Sequence, residues 1–394
     1  MTQKLPLEDI RVVDFTAAAA GPHVTQWLGV MGAEIIKVES NIRSDGLREH
    51  KPWFAALNHS KKSIALNMRK PRAVELAKEL VKLSDIVTEN FGGSVLERWG
   101  MGYSELKKVK SDIIVYSCSG YGRTGPFKES PAFAPIIDAF SGLTYMNGYT
   151  NGEPVNMGSM GWTDLLSGMH GVFAILAALY HRKNTGEGQY IDLSMCEQLI
   201  ACIPEAVIDY SMNGRIRERA GNGDNVMAPH GIYRCKGEDK WVAIAVSDEE
   251  EWMAFCNVIG NPDWTKKDEF SDQLSRWKNQ EELNILIQEW TVSHSHYEVM
   301  SLMQNAGVMA GACLSIPELV EDCHLNERDF YIDIEDSEEG RLHLARLPWK
   351  IRDIPEGNYK PAPSLGEHSD YIFKELLGLN EEEIIRLEKE EVIY

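Results

Sequence analysis

The sequence predicts an α/β fold in which helices cover both faces of a parallel sheet. Short apolar runs rich in β-branched residues alternate with segments of helical periodicity through the first half of the chain. The predicted strands are residues 10–16, 35–39, 85–89, 113–118 and 189–193, and the predicted helices between them are residues 23–31, 72–83 and 164–184. Because strands that alternate with helices usually pair in parallel, we expect a Rossmann-like sheet.

The length of the chain, 394 residues, predicts more than one domain, since a single core rarely grows this large. Residues 1–212 are predicted to form the N-terminal part of a large domain. Residues 213–231 are rich in Gly, Asn and Arg, a composition typical of a linker. Residues 232–320 are predicted to form a smaller α/β domain, because an apolar strand at 240–246 precedes three helical segments. Residues 321–394 are expected to return to the large domain.

Composition and charge argue against several classes of protein. The formal net charge is −20, and so acidic a protein repels nucleic acid and anionic membranes. No apolar run has the length of a membrane span, and the first residues do not resemble a signal peptide. The seven cysteines form no CxxC pair and the 11 histidines no HxxxH pair, so we expect neither disulfides nor a metal site. We therefore expect a cytoplasmic protein.

Two segments carry candidate chemistry, and each has a purely structural alternative. Asp164 begins a helix with one apolar stripe, where it is either a nucleophile or base kept ionised by the helix dipole, or an acid that only stabilises the first turn. The segment DFTAAAAGP at residues 14–22 joins a strand to a helix, and either approaches a phosphate or forms a tight joint. It is not GxGxxG, so a dinucleotide site has little support. Lys61, Lys62 and Arg98 are either phosphate ligands or solvated surface charges.

Six blocks of the chain resemble, in order, the family III CoA-transferases, which are related to the α-methylacyl-CoA racemases. The blocks span nearly the whole chain: VVDFTAAAAGPHVTQWLGVMGAEIIKVE, NHSKKSIALNM, VTENFGGSVLERWGMGY, SCSGYGRTGPF, GWTDLLSGMHGVFAILAALYHRKNTGEGQYIDLSM and PAPSLGEH. The group that they resemble includes formyl-CoA:oxalate, carnitine and benzylsuccinate CoA-transferases. The resemblance implies a transferase that moves CoA from an acyl-CoA to a free carboxylic acid.

The resemblance also implies functional residues. The aspartate that matches the nucleophile of the family is Asp164, which is expected to form an aspartyl anhydride and then an aspartyl-CoA thioester. Coenzyme A enters as a substrate, and no tightly bound cofactor is expected. The residues expected to contact CoA are Ala18, Ala19, Lys61, Lys62, Asn90, Phe91, Gly92, Arg98 and Arg123. An interlocked homodimer is expected, with a heteromer containing a sister subunit as the alternative.

Substrate and reaction remain open in three respects. Ala18 and Ala19 stand where formyl-CoA enzymes carry Val-Gln, which argues against oxalate as the acceptor. Arg48, Trp53, Tyr145 and Tyr149 are expected to line an acyl pocket suited to a bulky or aromatic acid such as benzylsuccinate, with succinyl-CoA as donor, unless the aromatic residues simply fill the core. The alternatives are a racemase or a CoA-binding subunit without its own activity. The chain has Phe133 where racemases carry an acid-base histidine, which favours transfer.

Overall fold

The computed structural model describes residues 4–157, 161–336 and 340–394, and within these the chain forms two compact units. The first unit comprises Met1–Thr144, Asn156–Ile216 and Asp329–Tyr394, and the second comprises Tyr145–Val155 and Arg217–Arg328. The large unit is therefore built from segments at both ends of the chain.

The first unit is built on a sheet of six parallel strands in the order β3-β2-β1-β4-β5-β6. The strands are β1 (Arg11–Asp14), β2 (Glu34–Glu39), β3 (Lys62–Ala65), β4 (Ile86–Glu89), β5 (Ile114–Ser119) and β6 (Tyr190–Ser194). This is the doubly wound order of a Rossmann-like sheet, so the predicted fold class is confirmed.

Helices cover both faces of the sheet. The helices of this part of the chain are α1 (Ala20–Val30), α2 (Lys51–Asn58), α3 (Pro71–Lys82), α4 (Val95–Arg98), α5 (Tyr103–Val109), α6 (Ala134–Phe140), α7 (Leu143–Met146), α8 (Trp162–Thr185), α9 (Met195–Ala201) and α10 (Pro204–Asn213). A short 3₁₀ helix, Gly46–Glu49, precedes α2. Successive strand residues point to opposite faces, so Val13 packs in the core beneath α3 and α5 while Val12 packs beneath α1 and α8.

Strand order reverses between β1 and β4, and this reversal determines where a cleft opens. The chain leaves β1 toward β2 on one side of the sheet, and β4 lies on the other side. The loops after the carboxyl ends of β1 and β4 therefore run apart and leave a crevice, the usual ligand site of such sheets. Residues 15–19 follow β1, and residues 90–94 follow β4.

The helix α8 is 24 residues long and largely apolar. Among the described residues it is the one helix that is long and apolar enough to cross a membrane, by length and composition only. Its residues Val172, Ile175 and Ala178 pack into the core of the first unit, against α1 and β5. A core helix passes the same test of length and composition, so this property is weak evidence of a membrane span.

The last part of the chain completes the first unit. It contains an antiparallel hairpin of β10 (Tyr331–Asp336) and β11 (Gly340–Ala345), a π-helix at Tyr371–Leu376 and a final helix at Glu381–Lys389. Ile372, Phe373 and Leu387 enter the core on the α3 face of the sheet. Leu66, just after β3, pairs with Ile393.

The second unit contains an antiparallel sheet of three strands, β7 (His230–Arg234), β8 (Trp241–Ala245) and β9 (Met309–Cys313). Its helices are α11 (Glu249–Val258), α12 (Gln273–Lys278), α13 (Gln280–Thr291), α14 (His296–Asn305), α15 (Ile316–Glu321) and α16 (Cys323–Glu327), with 3₁₀ turns at Asp263–Lys266 and Asp268–Phe270. One core, which includes Val242, Phe255 and Ile287, joins the sheet to the helices. Strand β7 begins inside the segment predicted as a linker, and the predicted domain bounds stay a prediction.

Candidate active site

A cleft of about 490 Å³ opens at the carboxyl ends of β1, β4 and β5. Three loops and the start of α8 form its walls, so that it lies where the strand order reverses. Its lining residues are Ala18, Ala19, Ala20, Leu47, His50, Trp53, Asn90, Phe91, Gly92, Cys118, Ser119, Gly120, Tyr121, Lys128, Ser130, Ala132, Phe133, Ala134, Pro135, Gly161, Asp164 and Met195. Most of these side chains are small or apolar, and Asp164 is the one carboxylate among them.

Asp164 lies in the first turn of α8, where its carboxylate reaches the cleft. Gly161, the residue just before α8, has a φ of 63°, in the left-handed region that favours glycine. A Cβ at Gly161 would lie 3.4 Å from Asp164 Oδ2 and 3.2 Å from Trp53 Cη2, so glycine also leaves room for both side chains. Within the described residues, the Asp164 carboxylate forms no hydrogen bond or ion pair. Among the residues that the structure describes, no partner competes with a substrate for this carboxylate.

The pKa of Asp164 is raised from its usual value of 3.8 to about 6. Burial is the larger cause, and the negative charge of nearby Asp138 adds to it. The sequence predicts an ionised side chain at this position, and burial opposes that ionisation. At pH 7 the carboxylate is nevertheless mostly ionised, by about ten to one.

Close packing fixes the first turns of α8. Asp138, on α6, is buried and accepts a hydrogen bond from Thr163 Oγ1, next to Asp164. One turn further, Gly168 lies against His23, whose Nδ1 is 3.2 Å from the carbonyl oxygen of Leu165. Burial lowers the pKa of His23 to about 4, so its ring is neutral at pH 7. These contacts hold Asp164 in one position at the end of the cleft.

The loop after β1 forms a second wall, and Asn90 holds it. Asn90 Oδ1 accepts from the amide of Ala17 at 2.9 Å, and Asn90 Nδ2 donates to the carbonyl of Ala17 at 2.8 Å. Ala18 has a φ of 59°, which is uncommon for a residue with a Cβ. The structure thus brings Ala18, Ala19, Asn90, Phe91 and Gly92 to the same cleft as Asp164.

Lys61, in contrast, lies beneath this loop and not in the cleft. Its side chain is fully buried, with Nζ 3.3 Å from Asp14 Oδ2 and 3.0 Å from both Asn58 Oδ1 and the carbonyl oxygen of Pro22. Although burial by itself raises the pKa of Asp14, Lys61 and Lys37 outweigh it and hold that pKa below its usual value. All of the hydrogen-bonding capacity of Lys61 is used inside the protein, so it is not placed to meet a phosphate.

Three further predicted ligands are bonded within the protein and do not line the cleft. Lys62 pairs with Glu34 and lies over the ring of Tyr371. Arg48 forms a bidentate ion pair with Glu39 and stacks on Phe54, which leaves no free fork for a substrate carboxylate. Arg123 bonds to Ser117, Glu89 and the carbonyl of Gly93. Lys62 and Glu34 are 28 positions apart and Arg123 and Glu89 are 34 positions apart, so no local pattern reveals these two pairings.

The sequence analysis did not identify two side chains of the cleft that can bind an anion or transfer a proton. Lys128 and His50 line the cleft and are exposed, and Lys128 has no ion pair among the described residues. A signal for Lys128 was available, because it is the one lysine in the Gly- and Pro-rich turn after β5.

Arg98 is exposed on α4 and lies near Gly93, whose added Cβ would be 3.9 Å from Arg98 Nη1. Tyr145 and Tyr149 belong to the second unit, where Arg219 stacks on Tyr145.

Proteins of known activity match nearly the whole chain. A succinyl-CoA–L-malate CoA-transferase beta subunit of Chloroflexus aurantiacus is 33% identical and aligns over 100% of this chain and 99% of its own. A succinyl-CoA–D-citramalate CoA-transferase of the same organism is 32% identical, with 98% of each chain covered. The crystal structure of a CAIB/BAIF family protein from Brucella suis superposes with a TM-score of 0.87 and 28% identity, covering 95% of this chain and 100% of that one.

The α/β fold, the cleft at its point of strand reversal and these relatives define the class of the protein, which is a CoA-transferase. The model of CoA-transferase family III matches residues 7–369. The chain therefore belongs to CoA-transferase family III, and the resemblance found in the sequence is confirmed.

Proposed function

We propose that this enzyme transfers CoA from succinyl-CoA to a free carboxylic acid by covalent catalysis on Asp164. The observation that carries the proposal is the Asp164 carboxylate itself, which lines the cleft and has no partner within the described residues. A carboxylate bonded to its own protein would have to break those bonds before attack. The choice of donor rests on the two relatives whose names state succinyl-CoA.

The proposed exchange proceeds in four nucleophilic steps without net proton transfer. An Asp164 oxygen attacks the thioester carbonyl, the carbon–sulfur bond breaks, and CoA thiolate leaves behind a mixed anhydride. The thiolate attacks the aspartyl carbonyl and releases the donor acid as its carboxylate. The acceptor carboxylate then attacks this aspartyl thioester, which frees the thiolate and forms a second anhydride. Attack of the thiolate on the acceptor's acyl carbon gives the product and restores the Asp164 carboxylate.

Each addition places negative charge on an oxygen, and backbone amides are the proposed donors to it. The amides of Ala19, the N-cap of α1, and of Ala20, its first residue, donate no hydrogen bond among the described residues. The first amides of any helix lack a partner within the helix, and both residues line the cleft. The turn at Gly120 is a further candidate, because a Cβ there would lie 2.1 Å from Ala132 Cβ and the position admits only glycine.

We propose that CoA extends from Asp164 past residues 90–92 toward the exposed cations of the cleft rim. Ala18, Ala19 and the Asn90–Gly92 loop would flank the pantetheine arm, and Lys128 and Arg98 would bind phosphate oxygens. Lys61, Lys62 and Arg123 are left out of the proposed site, since their side chains already bind acidic partners of this chain.

For the acceptor we propose a carboxylic acid with an apolar body, of which benzylsuccinate is an example. Leu47, Trp53 and Phe133 form an apolar wall in the same cleft as Asp164. Because Arg48 is bound to Glu39, a second carboxylate of the acid would meet His50 or Lys128 instead. The relatives named above act on L-malate and D-citramalate, so both acids belong in the test panel. The free cysteines of the chain fit a reducing compartment, which we propose is the cytoplasm.

Trapping of the aspartyl intermediate tests this proposal directly. The wild type is incubated with succinyl-CoA and then with borohydride or hydroxylamine, and the modified peptide is identified by mass spectrometry. We expect modification at Asp164, and no transfer or modification in Asp164→Ala. Asp272→Ala, which removes an aspartate that caps α12 in the second unit, serves as control and should transfer at the wild-type rate. Full activity of Asp164→Ala would eliminate the mechanism.

The racemase alternative has a separate test, because a histidine lines the cleft that also contains Asp164. Racemisation needs a second acid-base group, and Phe133 is unable to provide it. His50 is the one histidine that lines the cleft among the described residues. A 2-methylacyl-CoA incubated with the enzyme in D₂O should retain its Cα proton. Incorporation of deuterium that His50→Gln abolishes would establish racemase chemistry instead.

A further inference from the structure

One carboxylate oxygen ties together two walls of the cleft. Asp45 Oδ1 accepts from the amide of Ala18 at 3.1 Å and from the amide of Leu47 at 3.1 Å. Both of these residues line the cleft, Ala18 in the loop after β1 and Leu47 in the 3₁₀ helix before α2. Asp45 itself is buried and does not line the cleft, so it acts through its neighbours.

A fully buried lysine fixes the other oxygen of the same carboxylate. Lys37 Nζ lies 3.3 Å from Asp45 Oδ2 and donates to the carbonyl oxygen of Thr16 at 2.7 Å. The side chain of Lys37 is 0% exposed and that of Asp45 is 4% exposed. Removing one partner of a buried ion pair leaves an uncompensated charge, so the pair holds its geometry strongly. Lys37 lies on strand β2 and therefore connects Asp45 to that strand.

The wall that runs from Leu47 to Trp53 connects Asp45 to the region of the Asp164 carboxylate. The amide of His50 donates to the carbonyl of Leu47 at 2.9 Å, and the amide of Trp53 donates to the carbonyl of His50 at 2.9 Å. Trp53 in turn lies close to Gly161, and Gly161 lies against Asp164. A continuous series of short contacts thus runs from Asp45 to the ring beside the Asp164 carboxylate.

We infer that Asp45 is a positioning residue that sets the width of the acyl pocket, by holding the Ala18 loop and the Leu47–Trp53 wall at a fixed separation. The inference rests on the proposed binding of the acyl-CoA beside Asp164. It assigns to a buried carboxylate, and not to a cleft residue, the control over which acyl groups fit.

The test uses two unreactive thioethers, S-methyl-CoA and S-benzyl-CoA, bound to the full chain and measured by calorimetry. The ratio of their dissociation constants reports the fit of the acyl group. The CoA portion is common to both ligands, and a partly inactive sample lowers the number of sites and not the ratio. In Asp45→Ala the two walls separate and the larger group fits better. We therefore expect the dissociation constant of S-benzyl-CoA, divided by that of S-methyl-CoA, to fall by about fivefold or more. An unchanged ratio would overturn the inference.

Two further variants separate positioning from general destabilisation. Asp272→Ala also removes a carboxylate that accepts from a backbone amide, that of Ser275 at 2.9 Å, but it leaves the cleft residues intact and should keep the wild-type ratio. Asp45→Asn keeps an oxygen for both amides and turns an NH₂ toward Lys37, so we expect a smaller shift in the same direction, about twofold. If Asp45→Ala does not fold, Asp45→Asn decides, and its unchanged ratio would refute the inference. Failure of the wild type to bind either thioether would overturn the proposed function as well.

Discussion

The basicity of Asp164 is set by its two nearest influences, burial and Asp138. A carboxylate with a pKa of about 6 is a stronger nucleophile than an ordinary aspartate, and it is still mostly ionised at pH 7. Asp138 is itself buried and bonded to Thr163, so its charge stands at a fixed place beside the first turn of α8. The site therefore combines ionisation at neutral pH with raised reactivity.

The pH dependence of transfer should follow this ionisation. We expect kcat/KM to fall below a pH of about 6, because protonated Asp164 is unable to attack. Asp138→Asn removes a negative charge that raises the pKa of Asp164, so the acid limb of the profile should move to lower pH. Profiles of the wild type and of Asp138→Asn in the same buffers test this, since titration of the substrates then affects both equally. Superimposable acid limbs would contradict the assignment.

Asp164→Asn is expected to raise the free energy of unfolding at pH 7 although it abolishes transfer. The folded pKa, about 6, exceeds the usual 3.8, so the folded state binds this proton more tightly than the unfolded state. The stabilisation is full below the unfolded pKa and is lost as the pH rises through the folded one. Asn escapes this loss, which amounts to about 1–3 kcal/mol at pH 7.

Urea unfolding of both proteins at several values between pH 4 and 7 measures the effect. The gap in unfolding free energy should widen as the pH rises. Asp272→Asn should change the unfolding free energy in the opposite direction. Backbone amides hold the pKa of Asp272 below its usual value, so removal of this carboxylate should destabilise the protein at pH 7. A gap for Asp164→Asn that stays constant with pH would show that the carboxylate is not strained by burial.

At the scale of elements, Gly171 lets α8 lie close to its neighbours. A Cβ at Gly171 would lie 2.4 Å from Tyr116 Oη and 2.8 Å from Val24 Cγ2. Gly171→Ala therefore overpacks the core, and we expect it to cost about 1–3 kcal/mol of stability and to lower kcat, since α8 carries Asp164. Gly311→Ala, in β9, is a matched control because an added Cβ there meets nothing within 4 Å. Thermal unfolding and initial rates measure both effects, and equal behaviour of the two variants would contradict the packing argument.

The elements that the sequence predicted are those with a strong local signal. Strands β1, β2, β4 and β5 are buried along nearly their whole length and contain adjacent Ile and Val residues, and each was predicted within a few residues. Strand β3 was missed, because it begins with Lys62 directly after the polar stretch NHSK, and the partner of Lys62 is Glu34 on the neighbouring strand. Pairing between strands distant in sequence is thus invisible in a local pattern.

In the candidate site, too, contacts between residues distant in sequence were not predictable. Asp164 and the Asn90–Gly92 loop were expected from the resemblance, and the structure brings them to one cleft. Lys61 and Arg123 were expected beside CoA, but each is bound by a carboxylate, from Asp14 and from Glu89, that lies more than thirty positions away in the sequence. Asp45 gave no signal at all, since its role depends on two amides that only the fold brings together.

For the molecule as a whole, the net charge of −20 makes Lys128 decisive, since it lines the cleft and has no ion pair among the described residues. The field of the protein repels the anionic CoA, so local cations must overcome it. Lys128→Glu should raise KM for succinyl-CoA by about tenfold or more and leave kcat nearly unchanged, because the phosphates lie far from the bond that reacts. Lys107→Glu, on α5, is the control of equal charge change. An equal rise of KM in both variants would show that only the overall charge matters.

The surface of the first unit predicts that the chain does not act alone. Phe173 and Tyr180 on α8 are 74% and 71% exposed, and Tyr210 and Met212 on α10 are 62% and 74% exposed. Exposed apolar side chains in such density mark a protein interface. We propose that they are covered in a homodimer, which the resemblance to family III enzymes also implies, with a sister subunit as the alternative.

Light scattering on the purified chain tests the dimer. The expected mass is twice the 44.4 kDa of one chain, and the double variant Phe173→Glu, Tyr180→Glu should fall to the single value because two buried charges destroy the interface. Met253→Glu, at an exposed position of α11, is the control and should remain dimeric. A wild type that is monomeric and inactive until a sister chain is added would establish the heteromer. A monomer with full activity would show that the apolar surface of α8 and α10 has another purpose.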